Sequence, residues 1–303
     1  MRVKDITIAI PVYERTEFFK EAIESAINQT VKCTIIVVDN ASTHDYFSKY
    51  ISKFADPNIT YYRNDENLGM VGNWNRCIEL TQTKYISILN DDDALHPQFI
   101  EYTHPFLNGK NIVVCSDSLI DVTIPRDFDI RIGNSPKMKS FKKTKFLFGN
   151  LTPSVGSIYP IETARKIGSY DIDFYPAQDY HFWIKMASAI PVYKLDKKLA
   201  FYRISQNQTS NQVYNEIISK TYEIRKELGA YRYLKLLSLY NLYLLYKFYS
   251  NDKRISEDRG KLNPELYSKF DTIEKIEQFK LVKAFLRFFY KNAMRLLKLT
   301  RTI

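Results

Sequence analysis

What most constrains this chain is the alternation of two hydrophobic periods over residues 1–118. Ile6-Thr7-Ile8-Ala9-Ile10, ended by Pro11, reads as a strand buried on both faces. After Thr16, the side chains of Phe19, Ile23, Ala26 and Ile27 fall on one helical face. The pattern then repeats, with strands at Thr34–Val38, Ile59–Tyr62, Tyr85–Leu89 and Ile112–Cys115. Between them, helices are expected around Tyr46–Phe54, Val71–Leu80 and Pro97–Leu107. Strands and helices alternating in this way imply an α/β fold with a doubly wound, mostly parallel, Rossmann-like sheet. Residues 119–213 lose the alternation and carry Pro125, Pro136, Pro153, Pro160, Pro176 and Pro191, which reads as loops with some strand and helix. From Tyr214 the pattern is helical to the end, broken near Asn251–Pro264. The expected organisation is thus 1–118 and 119–213 as two halves of one domain, with 214–303 as a helical C-terminal region.

In such a sheet, ligands bind beyond the carboxyl ends of the strands. The polar clusters of this sequence stand there: Tyr13-Glu14-Arg15, Asp39-Asn40 and Asn90-Asp91-Asp92-Asp93. Three adjacent carboxylates repel one another, and burying them without a cation is costly. A hard divalent ion, Mg²⁺ or Mn²⁺, removes that cost and keeps coordination sites open for phosphate. The competing reading is a solvated acidic turn before the helix at Pro97. Asp39 has two readings as well. Its carboxylate suits the N3–H of a uracil or thymine ring, a donor flanked by carbonyls, or it forms the turn before Asn40.

Taken in order, several segments resemble one family. They are Ile10-Pro11-Val12-Tyr13-Glu14-Arg15, Glu21 to Thr30, Val37-Val38-Asp39-Asn40-Ala41-Ser42, Asn64-Asp65-Glu66-Asn67-Leu68-Gly69, and Leu89-Asn90-Asp91-Asp92-Asp93-Ala94-Leu95-His96-Pro97. Their order and spacing resemble the opening of family-2 glycosyltransferases of the GT-A fold, strongly over residues 1–118, fairly to about 213, and not beyond. The resemblance implies an inverting transferase that takes a sugar from a nucleotide-diphosphate donor, UDP- or dTDP-linked. It implies that Pro11, Val12, Tyr13, Glu14 and Asp39 hold the nucleobase and ribose, with Asn67 and Gly69 beside the nucleotide. Asp91, Asp92 and Asp93 correspond to the DxD element, Asp91 and Asp93 being the metal ligands and Asp92 lying against the donor. Asn90 departs from the usual acid. Asn73 and Asn75 are weaker candidates, explained as well by helix capping or exposure. In the second half, Tyr175 to Trp183 stands where relatives carry a Glu-Asp pair, Gln178 replacing the Glu. Asp179 is then the expected catalytic base, with helix N-capping as its structural alternative. Phe201-Tyr202-Arg203-Ile204-Ser205 resembles a Tyr-Arg-x-His element in which Ser205 replaces His. Arg203 is expected on the diphosphate, with an internal salt bridge as the alternative. His44, His96 and His104 show no partner pattern, and His181 reads as a helix-face residue.

Composition narrows the setting. The chain has 303 residues, 45% of them hydrophobic and 26% charged, which excludes collagenous, disulfide-scaffold and disordered classes. Its net charge of +10 implies an anionic partner. Much of that charge lies in Lys280, Lys283, Arg287, Lys291, Arg295 and Lys298, spaced as one helical stripe beside Phe285, Phe288, Phe289, Leu296 and Leu297, with no acid among them. This is the composition of a helix lying on an anionic membrane; packing on the core or on a second subunit is the other reading. No apolar run spans a bilayer, the N-terminal apolar stretch is too short for a secretory signal, and Cys33, Cys77 and Cys115 are odd in number and dispersed. The expected location is cytoplasmic, peripheral on the inner membrane face, with a glycan or lipid-linked oligosaccharide acceptor of a bacterial surface polysaccharide (O-antigen, lipopolysaccharide or capsule). Two other functions were weighed against it. A sugar nucleotidyltransferase would open with a Gly-rich phosphate loop, and Pro11–Thr16 contains no glycine. A basic nucleic-acid-binding protein would show a recognition motif, and none is present, so no nucleic-acid partner is expected.

Overall fold

The computed structural model describes residues 2–125, 127–128, 136–141, 143–150, 152, 155–204, 213–227, 232–250 and 262–296. Two units emerge. The first gathers Met1–Lys142, Thr152–Asp173 and His181–Ser205; the second gathers Lys143–Leu151, Phe174–Tyr180 and Gln206–Ile303.

In the first unit, the expected alternation forms β1 (Arg2–Val12), α1 (Phe19–Ile27), β2 (Lys32–Asp39), α2 (Tyr46–Ile51), β3 (Ile59–Arg63), α3 (Gly69–Leu80) and β4 (Tyr85–Ile88). A two-residue strand β5 (Ala94–Leu95), α4 (Phe99–Leu107) and β6 (Val113–Asp121) follow. Beyond these come β7 (Met138–Phe141), β8 (Ser157–Pro160), α5 (Ile161–Lys166), α6 (Gln178–Ala189, of which His181 onward belongs to this unit) and β9 (Val192–Arg203). Among the described residues the strands make one sheet in the order β3-β2-β1-β4-β8-β6-β9-β5, with β7 paired to β9. The pairs β1/β2, β2/β3, β1/β4 and β6/β9 are parallel, while β8 is antiparallel to both β4 and β6. Strand order reverses at β1, so β1 and β4 frame the crevice where a ligand of such a sheet binds. The fully buried side chains Ile8, Ile10, Val37, Phe19, Phe47 and Phe99 belong to the core between sheet and helices.

The twelve-residue β9 runs where the sequence suggested mostly loop. Its burial does not alternate cleanly, because Asp196-Lys197-Lys198 interrupt the apolar positions that pair with β6. Gly156 lets β8 approach that pair. With φ at +85°, a Cβ there would lie 2.7 Å from the Ala200 Cβ and 2.6 Å from the Ser116 Oγ. Ser116 can rotate, but Ala200 cannot. Gly156→Ala is therefore expected to lower stability by about 2–4 kcal/mol, from positive-φ strain and overpacking together. Thermal denaturation checks this, and an unchanged midpoint would show that β8 shifts freely.

The second unit contains α7 (Tyr214–Glu227), α8 (Arg232–Ser250), α9 (Pro264–Glu277) and α10 (Lys280–Leu296), with a short 3-10 helix at Lys143–Phe148. Pro264 opens α9, and the Asn263 Oδ1 accepts from the backbone N–H groups of Glu265 and Leu266, a side-chain cap. Tyr214, Ile218, Tyr240, Leu242, Tyr243, Leu266 and Phe270 form its core. On α10, Leu286 and Tyr290 pack against that core, and the Asn241 Nδ2 donates to the Tyr290 hydroxyl at 2.6 Å. The opposite side of α10 leaves Phe288, Phe289, Lys280, Arg287 and Lys291 exposed, next to exposed Phe279. Leu297 and Lys298 of the basic stripe lie outside the described residues.

Candidate active site

The carboxyl ends of β1, β2 and β3 are in register: Val12 pairs with Asp39, and Asp39 with Arg63. The expected nucleotide residues thus come together. Pro11 and Val12 are buried in the strand, whereas Tyr13 is exposed above it. Glu14 adopts a left-handed φ of 53°, a strained conformation for a side-chain-bearing residue. Its neighbours hold it there. The Glu14 N–H donates to the Ser42 Oγ at 3.0 Å, and its carboxylate accepts from the Thr43 N–H and hydroxyl at 2.7 and 3.0 Å. His44 closes the same loop: Nδ1 accepts from the Tyr46 N–H, which leaves Nε2–H to donate to the Glu14 carbonyl at 2.9 Å. His104 also has a partner, Asp5, at 3.3 Å.

Asp39 is completely buried. Oδ1 accepts from the Ser42 N–H (2.9 Å) and hydroxyl (2.6 Å); Oδ2 accepts from the Tyr61 hydroxyl (2.6 Å) and Arg63 Nη1 (3.1 Å). Four donors match the roughly four lone-pair sites of a carboxylate. The capacity expected for a base N3–H is therefore occupied within the protein. Of those donors Arg63 is the exposed one, and the one able to give way.

Asn40 organises the 64–69 segment. Its Nδ2 donates to the Asn67 Oδ1 (2.7 Å) and the Gly69 carbonyl (3.2 Å), and its Oδ1 accepts from the Asn64 Nδ2 (3.0 Å) and the Leu68 N–H (2.9 Å). Gly69 takes a φ of +70°, and its N–H reaches the Asn67 Oδ1 at 2.8 Å. Asn73 is buried and bridges Asn64 to the Val38 carbonyl, while Asn75 exchanges two hydrogen bonds with the backbone of Tyr170. Neither is a cap or a free surface group, the two explanations the sequence offered. Asn40 stands in a polar strand-end cluster and Asn64 in a recognised segment, but neither had a role legible in the sequence. Buried amides at strand ends follow no hydrophobic period, and four asparagines in one region were the available signal.

The acidic turn follows β4, its entry fixed by the Leu89 N–H on the Ala9 carbonyl at 2.9 Å. Arg15, from the loop after β1, bridges it: one guanidinium nitrogen is bonded to Asp91 and Nη1 lies 2.9 Å from the Asp92 Oδ2. Burial raises the Asp91 pKa to about 6 against the pull of Arg15. Asp93 is buried and its pKa is also pushed well up, by desolvation and then by Asp92. Its oxygens accept from the Arg203 N–H and the Asn90 Nδ2, both at 3.0 Å.

Arg203 takes up the internal salt bridge that the sequence offered as its alternative. It is buried: Nε donates to the Asp92 carbonyl and Nη1 to the Val122 carbonyl, each at 2.8 Å, Nη2 is bonded to Glu21, and the guanidinium stacks 4.2 Å from the Phe18 ring centroid. The internal salt bridge wins because Glu21, on α1, projects onto the end of β9. Arg203 therefore braces the acidic turn from behind. Ser205 lies outside the described residues.

Whether this turn suits a divalent ion is a question of donors. All are hard oxygens, burial raises the pKa of Asp91 and of Asp93, and each Asp93 oxygen keeps a lone pair beyond its hydrogen bond. Among the described residues no three His, Cys, Asp or Glu side chains form a complete cage. Mg²⁺ or Mn²⁺ takes one or two carboxylates and completes its shell with water and phosphate, and the lone pairs left on Asp93 are the feature that suits such an ion.

Asp179 belongs to the second unit. It sits within the first turn of α6, one residue inside the helix rather than at the N-cap. Oδ2 accepts from the Asn150 Nδ2 at 3.0 Å, and burial raises its pKa, opposed by the Tyr180 N–H and by Asn150. Beside it, Gln178 is buried, and its Oε1 has no hydrogen-bond partner among the described residues.

Residues 7–159 match the family model described as Glycosyl transferase family 2. The chain belongs to that family. It is a glycosyltransferase of the GT-A fold, as the opening segments implied. An uncharacterized glycosyltransferase of Rickettsia typhi is 27% identical over 217 residues, covering 70% of this chain and 68% of the relative. The glycosyl transferase WcaA of Escherichia coli K12, assigned to colanic acid biosynthesis, is 28% identical over 192 residues, 60% of this chain and 65% of its own. In solved structures the fold is similar to Staphylococcus aureus TarS 1–349 in complex with UDP-GlcNAc (TM-score 0.56, 13% identity, 82% of this chain and 73% of that one). It is also similar to the mannosyltransferase PcManGT from Pyrobaculum calidifontis in complex with GDP-Man and Mn²⁺ (TM-score 0.60, 14% identity, 98% and 88%).

Proposed function

We propose that this glycosyltransferase is metal-dependent and inverting, and moves a sugar from a UDP- or dTDP-sugar to a lipid-linked glycan acceptor in bacterial surface-polysaccharide synthesis. The observation that carries the reading is the buried acidic turn, short of positive charge, beside the loop that Asp39 and Asn40 organise. Pro11, Val12 and Tyr13 form the floor for the base, Glu14 holds the 42–44 loop, and Asn67 and Gly69 flank the ribose. A pyrimidine N3–H reaches Asp39 by replacing Arg63. Asp91 and Asp93 would hold Mn²⁺ or Mg²⁺, with Asp92 at the diphosphate, and such an ion would offset the charge of the leaving nucleotide. Arg15, whose guanidinium now pairs with Asp91 and Asp92, would be the cation available to the diphosphate if those carboxylates held the ion. Asp179 takes the proton of the acceptor hydroxyl, and its raised pKa brings it nearer the working pH of a general base. Support for a nucleotide-sugar donor and for the metal comes from the similar structures that hold UDP-GlcNAc, and GDP-Man with Mn²⁺. Donor hydrolysis across UDP-, dTDP- and GDP-sugars, with and without Mn²⁺, tests the reading. Hydrolysis of a GDP-sugar alone would overturn the pyrimidine assignment.

The same reading places the enzyme on the inner membrane face through α10. Among the described residues no helix is long and apolar enough to cross a membrane, while α10 offers exposed Phe288 and Phe289 beside Lys280, Arg287 and Lys291. Deleting α10 is a poor test, since Leu286 and Tyr290 belong to the helical core. Replacing Phe288 and Phe289 by Ser is expected to lower binding to phosphatidylglycerol vesicles about tenfold or more, at about 1.5–3 kcal/mol per buried aromatic. Equal co-sedimentation of variant and wild type would remove α10 from the membrane contact.

A further inference from the structure

The helical unit holds a buried cation that no carboxylate answers among the described residues. Arg225, on α7, is 6% exposed. Its Nε donates to the Tyr180 hydroxyl at 3.2 Å, and its Nη1 to the Ser238 carbonyl at 3.2 Å and the Asn241 Oδ1 at 3.1 Å. Each of these acceptors is neutral. Nη2 makes no hydrogen bond among the described residues. A guanidinium out of water with neutral partners alone is unfavourably placed unless an anion joins it.

Arg225 lines a cavity of about 180 Å³. For scale, an apolar protein cavity of about 150 Å³ takes up benzene. Leu236, Leu239 and Leu242 form an apolar wall, and Leu236, 72% exposed, stands at the mouth. Lys226 and Lys269 add two further cations. They share one carboxylate, that of Glu265, at 3.1 and 3.3 Å. Three cations and one acid thus surround a pocket with a hydrocarbon side.

We propose that this cavity binds a phosphate group bearing a hydrocarbon chain. The phosphate accepts from the Arg225 Nη2 and from the rim lysines, and the first methylenes of the chain lie along the leucines. A net two positive charges matches a phosphate monoester, which carries about −1.5 to −2 near neutral pH, better than a single carboxylate. The planar guanidinium is suited to phosphate oxygens. The inference concerns binding only and stands whether or not the transferase reading of donor and acceptor holds. Two molecules offer this chemistry: a dissolved isoprenyl phosphate and the monoester headgroup of phosphatidate.

Equilibrium dialysis of the full chain with monomeric dodecyl phosphate tests it. One saturable site is expected, with dodecanol and inorganic phosphate each at least about tenfold weaker, equivalent to 1.4 kcal/mol. Arg225→Gln should lose about tenfold in affinity. Because Arg225 also ties Tyr180 to Ser238, two rim variants accompany it: Lys269→Glu and Leu236→Asp, each expected to weaken dodecyl phosphate several-fold with an unchanged circular-dichroism spectrum. Displacement of the probe by farnesyl phosphate identifies a free lipid phosphate; displacement by phosphatidate vesicles alone identifies the headgroup. Absence of saturable binding, equal binding of dodecanol, indifference of binding to both rim variants, or displacement by neither competitor overturns the proposal.

Discussion

Asp179→Asn is expected to lower sugar transfer by about 10²–10⁴-fold, the range for removal of a general base, while donor nucleotide binds as in wild type. The amide is isosteric: its oxygen still accepts from the Tyr180 N–H, and its Nδ2 can donate to Asn150 once that side-chain amide turns its oxygen inward. What it lacks is a lone pair basic enough to take the acceptor proton. The pH dependence separates this role from a structural one. Burial raises the Asp179 pKa, so the wild-type transfer rate should fall as pH drops through that raised value and the base becomes protonated. In the Asn variant that limb should vanish from the profile. The residual rate, measured with saturating donor and acceptor, decides the matter. Retention of more than about a tenth of wild-type transfer is too much for a lost base on these magnitudes and would move the role to another residue.

How much of this was legible in the sequence differs from element to element. β1, β2 and β4 were visible because strands covered on both faces read as unbroken β-branched runs, as Ile6 to Ile10 and Thr34 to Val38 do. β9 was not, since its Asp196-Lys197-Lys198 stretch hides a strand whose remaining positions are core. The carboxyl ends of strands announced the site, because an acid after an apolar run has few other reasons to be there. Partners could not be read in the same way. Glu21 meets Arg203 across 182 positions of chain, and only the fold brings α1 against the end of β9. The sequence allowed both a diphosphate and an internal bridge for Arg203, and burial chose the bridge. Arg15 had the reverse history: it stood in a recognised segment without a role, and the parallel pairing of β1 with β4 set it on Asp91 and Asp92.

The acidic turn leads to the second large effect. Mn²⁺ or Mg²⁺ is expected to raise both thermal stability and UDP affinity, and more so at pH 7.5 than at pH 5. The Asp91 pKa stands at about 6 in the folded chain, above the ordinary 3.8. The folded state therefore binds this proton more tightly than the unfolded state. Below pH 4 both states hold it and the group contributes nothing. Between pH 4 and 6 the unfolded chain ionises first, and above pH 6 the full penalty is present, on the order of 3 kcal/mol at 1.36 kcal/mol per unit. Stability attributable to Asp91 thus falls as pH rises. A divalent ion acts in the opposite sense, because it binds the ionised carboxylate and removes a penalty that exists only at the higher pH. Asp91→Asn removes both parts: the apo variant should be more stable than wild type at pH 7.5 and should gain nothing from metal. Asp93→Asn is a more informative partner variant than Asp93→Ala, since the amide oxygen can still accept the Arg203 N–H that Asp93 now holds. Both variants are expected to lose metal-dependent UDP binding in calorimetry. Wild-type UDP affinity that is the same with Mn²⁺ and with chelator would show that Arg15, not a metal, supplies the positive charge at this turn.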